Sequence, residues 1–196
     1  MHFLHGLQGL STQTCEGYVL GEFNLLVACP RDRERAAKSE IQYFIGDLLE
    51  DSELKISRTH ISGLLTCMTS LDPFDVIHKL REFAMENPYQ FRFAIRFTPM
   101  ELCVDSEIEF MREAARTLLD KIGEEESFRV TVRRRHTDLE NMDVVVAIAS
   151  EFERKVDLDN PDKIVWVEIV GEKTGISVLE DENDILSIMT MRDDQY

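Results

Sequence analysis

Between Asn24 and Phe97 the period of the apolar residues switches from strand to helix and back, in the order βαββαβ. That order admits few architectures, because two crossover helices must bury their stripes against one small sheet. Asn24 to Cys29 (NLLVAC) is a short apolar run closed by Pro30 and predicts a buried strand. From Glu34 onward, Ala37, Ile41, Phe44, Ile45 and Leu48 recur at helical spacing and define one buried face. Lys55 to Thr59 and Leu64 to Thr69 predict two strands around a turn at Ser62 and Gly63. A second helix follows, with Asp72 as its cap, Pro73 in its first position, Asp75 at the favourable end of the dipole, and Val76, Ile77, Leu80 and Phe83 as its stripe. Phe91 to Phe97 then alternates, placing Phe91, Phe93, Ile95 and Phe97 on one face and Arg92, Ala94 and Arg96 on the other. The unit is a ferredoxin-like split βαβ, and Thr98-Pro99 marks its boundary.

The second half predicts a helix from Ser106, where Ser106 and Glu109 have capping-box spacing and Ile108, Met111, Ala115, Leu118, Leu119 and Ile122 form the buried face up to Gly123. Phe128 to Val132 alternates as a strand with Arg129, Thr131 and Arg133 outward, and runs into Arg134, Arg135 and His136. Thr137 and Glu140 repeat the capping-box spacing and tip the VVVAIA run towards a helix reaching about Lys155. A turn at Asn160 to Asp162 precedes a strand from Lys163 to Val170 buried on both faces; Gly171 to Gly175 then connect to a return strand at Ile176 to Leu179, and a last strand lies within Ile185 to Met191. The fold class is α+β or α/β. Residues 1–22 hold Gly6, Gly9, Gly17 and Gly21 without a sustained period and read as a loosely attached extension; residues 192–196 read as an acidic tail.

With 196 residues, 43% of them hydrophobic and 31% charged, the chain can bury the cores of two small domains. Its longest apolar runs, Ile164 to Val170 and Val144 to Ala149, fall far short of the ~20 residues of a membrane span, and MHFLHGLQGL carries no Lys or Arg and no cleavage pattern of a secretory signal. Cys15, Cys29, Cys67 and Cys103 match neither a zinc site nor a disulfide scaffold, and read as reduced, buried thiols of a cytoplasmic protein. No pair among His2, His5, His60, His78 and His136 has the helical spacing of a metal site, and Cys67 with His60 lacks a recognisable catalytic surround. GEKTG at 171–175 lies between strands and serves a turn rather than a phosphate loop. These readings predict no catalytic residue, no metal and no cofactor.

The net charge of −16 argues against nonspecific binding of polyanions, but its distribution is uneven: residues 101–196 carry 12 basic and 25 acidic groups, much of the excess in Glu124 to Glu126 and near the C-terminus. Against that background Arg129, Arg133, Arg134, Arg135 and His136 form a basic island at a strand end and a helix start, both suited to phosphate. Composition alone allows equally that these arginines pair with nearby carboxylates. Arg92 and Arg96, on one exposed strand face, form a second group; Arg31, Arg33, Arg35 and Lys38 form a third, which a solvated helix start also explains.

The segment FRVTVRRRHTDL, followed after a helix by VDLDNPDKIVWVEIVGEKTGISVL, resembles the THUMP domain, an RNA-binding module of tRNA modification enzymes. NLLVACP, LDPFDVIHKLRE and FRFAIRFTPME resemble the ferredoxin-like domain that accompanies it. The resemblance spans about residues 24–190 and is strongest to stand-alone THUMP proteins related to the adaptor for tRNA cytidine acetylation. It implies a ferredoxin-like domain over 23–99, a THUMP domain over 100–191, tRNA as ligand, a separate tRNA acetyltransferase as partner, and no catalytic domain in this chain. The RNA-binding residues then expected are Arg92, Arg96, Arg129, Arg133, Arg134, Arg135 and His136. The alternative is an acidic ferredoxin-like regulatory module that binds a small ligand or a protein partner; salt-dependent retention of tRNA separates the two.

Overall fold

The computed structural model describes residues 20–193. Two five-stranded sheets pack face to face, each covered on its outer face by helices. The first contains β1 (Leu25–Ala28), β2 (Lys55–Arg58), β3 (Leu64–Met68), β4 (Arg96–Pro99) and β10 (Leu186–Ser187), in the order β10-β4-β1-β3-β2 with every neighbouring pair antiparallel. Alternation along β1 sends Leu25 and Val27 into a core with α1 (Glu34–Ile41) and α2 (Pro73–Glu86), and Leu26 and Ala28 towards the other sheet. The Asp72 side chain accepts from the Phe74 and Asp75 amides with Pro73 in the first turn, as the sequence predicts.

The second sheet runs β5-β9-β8-β6-β7, from β5 (Leu102–Asp105), β6 (Ser127–Arg135), β7 (Lys155–Val156), β8 (Lys163–Val170) and β9 (Lys173–Leu179). Its outer face packs on α3 (Ile108–Thr117) and α4 (Asn141–Ala149). The crossover through α4 makes β6 and β8 parallel, while β8 and β9 form an antiparallel hairpin. All eight residues of β8 are buried, as expected of a strand sandwiched between helices and a second sheet. Between the sheets lies a third core that includes Leu26, Leu64, Ile164, Trp166, Val170 and Leu179.

Several expectations are corrected by tertiary contacts. Phe91 to Phe97 is not one strand: the Glu40 carboxylate of α1 accepts from the Arg92, Phe93 and Ala94 amides, which are therefore lost to a ladder, and only Arg96–Pro99 pairs. Neither capping box forms. Ser106 gives its hydroxyl to an interaction with Thr174 and α3 starts at Ile108; Thr137 accepts from the Leu139 amide, Glu140 pairs with Arg134, and α4 starts at Asn141 and ends at Ala149, well before Lys155. Gly175 lies within β9 rather than in the turn, where Met100 approaches so closely that a Cβ would stand 2.5 Å from its sulfur. Ile185 to Met191 yields only the two-residue β10, which crosses back to pair with β4 in the first sheet before α5 (Ile188–Asp193) begins. The extension reading of residues 1–22 falls mostly on 1–19, outside the described residues, and Leu20 is buried; of the acidic tail, 194–196 likewise lie outside.

Candidate nucleic-acid interface

Register decides which arginines meet. In β6, Phe128, Val130 and Val132 face the helices, so Arg129, Thr131, Arg133 and Arg135 face the seam between the sheets. The parallel pairing sets Thr131 beside Trp166 and Arg133 beside Glu168. From the other sheet, Arg96 enters the same seam out of β4, where it lies opposite Ser187 of β10.

At the centre stands Trp166, 3% exposed, whose Nε1 donates to Glu168 Oε1 at 3.1 Å. The other oxygen of this buried carboxylate accepts from Arg135 Nη1 at 2.5 Å. Two further guanidiniums lie over the indole, Arg133 at 5.0 Å and Arg96 at 5.5 Å from the ring centroid. Neither forms an ion pair among the described residues, and Arg96 Nε is buried without a hydrogen-bond partner. Burial first, and then the Arg133 cation, make Arg96 release its proton more readily than an ordinary arginine. Two cations repel each other at the mouth of the seam, held by an indole face that attracts both. The arrangement suits a ligand whose anionic oxygens accept from two planar donor forks.

The other expected residues divide. Arg129 is committed: Nη2 pairs with Glu182 at 2.9 Å and Nη1 donates to the Leu158 carbonyl at 3.3 Å. Arg134 faces away from the seam and bonds Glu140 and the Leu139 carbonyl. Arg92 is exposed on the irregular segment before β4, so it does not share a strand face with Arg96. His136 closes β6 in the left-handed region, φ 55°, and its ring meets that of His60, from the β2–β3 turn, at 5.0 Å. The helix start expected beside His136 lies five residues on, at Asn141. Beside Arg96, a cleft of about 240 Å³ is lined by Arg81, Ser187, Thr190 and Glu182.

Sequence reasoning missed Trp166 and Glu168 as parts of the site. The signal was present in KIVWVEIV, where a lone Glu two positions from Trp, inside an otherwise apolar run from Ile164, demands a cationic partner. Cys67 is buried, and burial pushes its thiol up to about 12, which disfavours it as a nucleophile beside His60. Among the described residues, no group of three or more His, Cys, Asp or Glu side chains is placed to hold a metal, and no helix is long and apolar enough to cross a membrane.

Residues 105–179 match the family model of the THUMP domain. No curated protein matches the chain. Among solved structures, PH1313 from Pyrococcus horikoshii Ot3 is similar over 84% of this chain and 55% of its own, at 16% identity and a TM-score of 0.59. A 4-thiouridine synthetase in complex with RNA and bound ATP is similar over 85% of this chain and 42% of its own, at 14% identity and a TM-score of 0.50. A possible methylase from Clostridium difficile 630 matches over 80% and 40%, at 16% identity and a TM-score of 0.50. At these identities the likeness is one of fold, and this chain spans about half the length of the structures it matches.

Proposed function

We propose that this chain, with its THUMP domain over residues 105–179, is a noncatalytic tRNA-binding adaptor of the cytoplasm that presents tRNA to a separate modification enzyme, a tRNA cytidine acetyltransferase. The observation that carries the RNA reading is the pair of guanidiniums, Arg96 from one sheet and Arg133 from the other, held over Trp166 without an ion pair of their own among the described residues. The similar 4-thiouridine synthetase was solved with RNA, which supports a nucleic acid as the ligand. The order β4-β1-β3-β2, antiparallel throughout, supports reading residues 23–99 as a ferredoxin-like domain ahead of the THUMP domain. Because Arg96 and Arg133 come from different sheets, both domains contribute to one RNA surface. The net charge of −16 does not oppose this, since the acid lies largely outside the seam and short-range phosphate contacts depend on local donors.

We assign the catalytic step to the partner; burial pushes the Cys29 and Cys67 thiols up, which disfavours either as a nucleophile. The test is reconstitution. Filter binding of tRNA across a salt series should show saturable retention that weakens with salt, and the chain alone should acetylate nothing with acetyl-CoA. Adding it to the acetyltransferase should raise acetylcytidine yield. No retention of tRNA at low salt overturns the RNA reading; acetylation by the chain alone overturns the adaptor assignment.

A further inference from the structure

α4 breaks the rule for a surface helix. Of its nine residues only Asn141 and Asp143 are polar, and from Val144 to Ala149 every residue is apolar. Val144 and Ile148 face the core, yet Met142 and Val146, one turn apart, are 66% and 60% exposed. A helix covered on one side by a sheet ordinarily presents a polar opposite face. This one presents methionine and valine, with half-buried Val145 and Ala149 beside them.

The chain on either side of that face is acidic. Glu140 is engaged by Arg134, and Glu151 by Arg112 and Arg116. Asp138 and Asp143 at the start of α4 and Glu153 beyond its end are exposed and form no ion pair among the described residues. Arg154, the nearest cation in sequence at that end, is drawn away by the Ile122 carbonyl. An apolar strip with unpaired carboxylates around it is complementary to an apolar strip with a cationic rim.

We infer that the outward face of α4 docks a basic amphipathic helix of a protein partner; the inference rests on the adaptor reading, which requires such a partner. A second copy of the chain is disfavoured because it would set the same carboxylates against each other, and an anionic lipid surface is disfavoured by the same charge. At ~1.5 Å per residue the nine-residue helix is only ~13 Å long, so the contact is smaller than a standard interface of ~800 Å² per partner and suits reversible docking. The side chains of β6 that face α4 alternate with those that face the seam, so docking here leaves Arg96 and Arg133 open to RNA.

The probe is a fluorescein-labelled Leu/Lys peptide with leucines at helical spacing, titrated by anisotropy against the full chain, with a Leu/Glu peptide as its counterpart. The paired substitution Met142→Glu, Val146→Glu adds negative charge, so diffuse attraction of a cationic peptide would strengthen while docking on the apolar strip would weaken by roughly tenfold or more. Weakening is the expected result, with Val146→Ala showing a smaller loss in the same direction and circular dichroism confirming the fold. Asp138→Asn, Asp143→Asn and Glu153→Gln together should also weaken the Leu/Lys peptide. Equal or tighter binding by the Met142→Glu, Val146→Glu chain overturns the inference, as does equal binding of the Leu/Glu peptide. So does a concentration-dependent dimer that the same variant abolishes. tRNA retention is measured on the same samples: its absence in the wild type sinks the RNA reading without touching the peptide result, and displacement of tRNA by the peptide overturns the separation of the two faces.

Discussion

The two ends of β6 are built on opposite principles. At its start, the Ser127 amide and hydroxyl both donate to one oxygen of Asp162, at 2.8 and 2.6 Å, and the Asp162 amide returns a bond to the Ser127 carbonyl. The neighbouring Phe128 is fully buried against Phe152. At its end, Arg133 has an indole and no ion pair, Arg96 beside it has a buried Nε without an acceptor, and Arg135 alone of the three bonds the buried anion, Glu168. One end matches both Ser127 donors and serves stability. The other holds an excess of donors in a partly dry place, at an energetic cost that an acceptor from outside relieves.

The sharpest way to break this contrast is to remove the surplus donors. Arg96→Ala with Arg133→Ala should lower tRNA affinity about 100-fold, on roughly 1.5 kcal/mol for each charged hydrogen-bonding group, and reduce the dependence of log affinity on log salt by ~2. The melting temperature should stay level or rise, since Arg96 is desolvated and neither arginine is paired. Unchanged affinity with an intact fold would take the seam out of the RNA site. Glu168→Gln should have a smaller effect, and of mixed sign: stability falls by roughly 1–3 kcal/mol in urea unfolding as Arg135 loses its counter-charge, while tRNA binds more tightly through the freed cation. Weaker binding instead would mean that Glu168 serves the site by positioning Arg135 and Trp166.

What the sequence shows and what it hides follow the range of the interaction. Helix α2 with its Asp72 cap and the buried β8 are legible because their signals are local: an acceptor two residues from the amide it satisfies, and an unbroken apolar run. Strand β5 is illegible because four residues carry no period, and it exists through pairing with β9 far along the chain. The capping boxes at Ser106 and Thr137 mislead because Thr174 and Arg134 compete for their side chains. In the site, the basic island is plain in the sequence, but its division is not. Composition treats Arg133 and Arg135 alike; in the fold Arg135 reaches diagonally to Glu168, while Arg133, opposite Glu168 in the register, lies over the Trp166 indole. Arg96 joins them only through the packing of one sheet on the other.

The matched end of β6 carries its own pH signature, and this is the smallest effect. The Ser127 hydroxyl, then the Ser127 amide, hold the Asp162 carboxyl below its ordinary value of 3.8, against an opposing push from burial. A carboxyl depressed in the folded state contributes stability fully above its unfolded value and loses it as the pH falls through the folded one. Asp162 therefore steepens the acid limb below about pH 4 and contributes a constant amount at neutrality. Asp162→Asn should lower the neutral-pH melting temperature slightly and flatten the limb, so that the two stability curves converge as the wild-type carboxyl protonates. tRNA affinity at pH 7 should not change, because the substitution lies at the end of the strand away from Arg133. Parallel curves down to pH 2 would show that the Ser127 donors do not distinguish the charged from the neutral carboxyl; a loss of tRNA binding with the fold intact would show that the two ends of β6 are coupled.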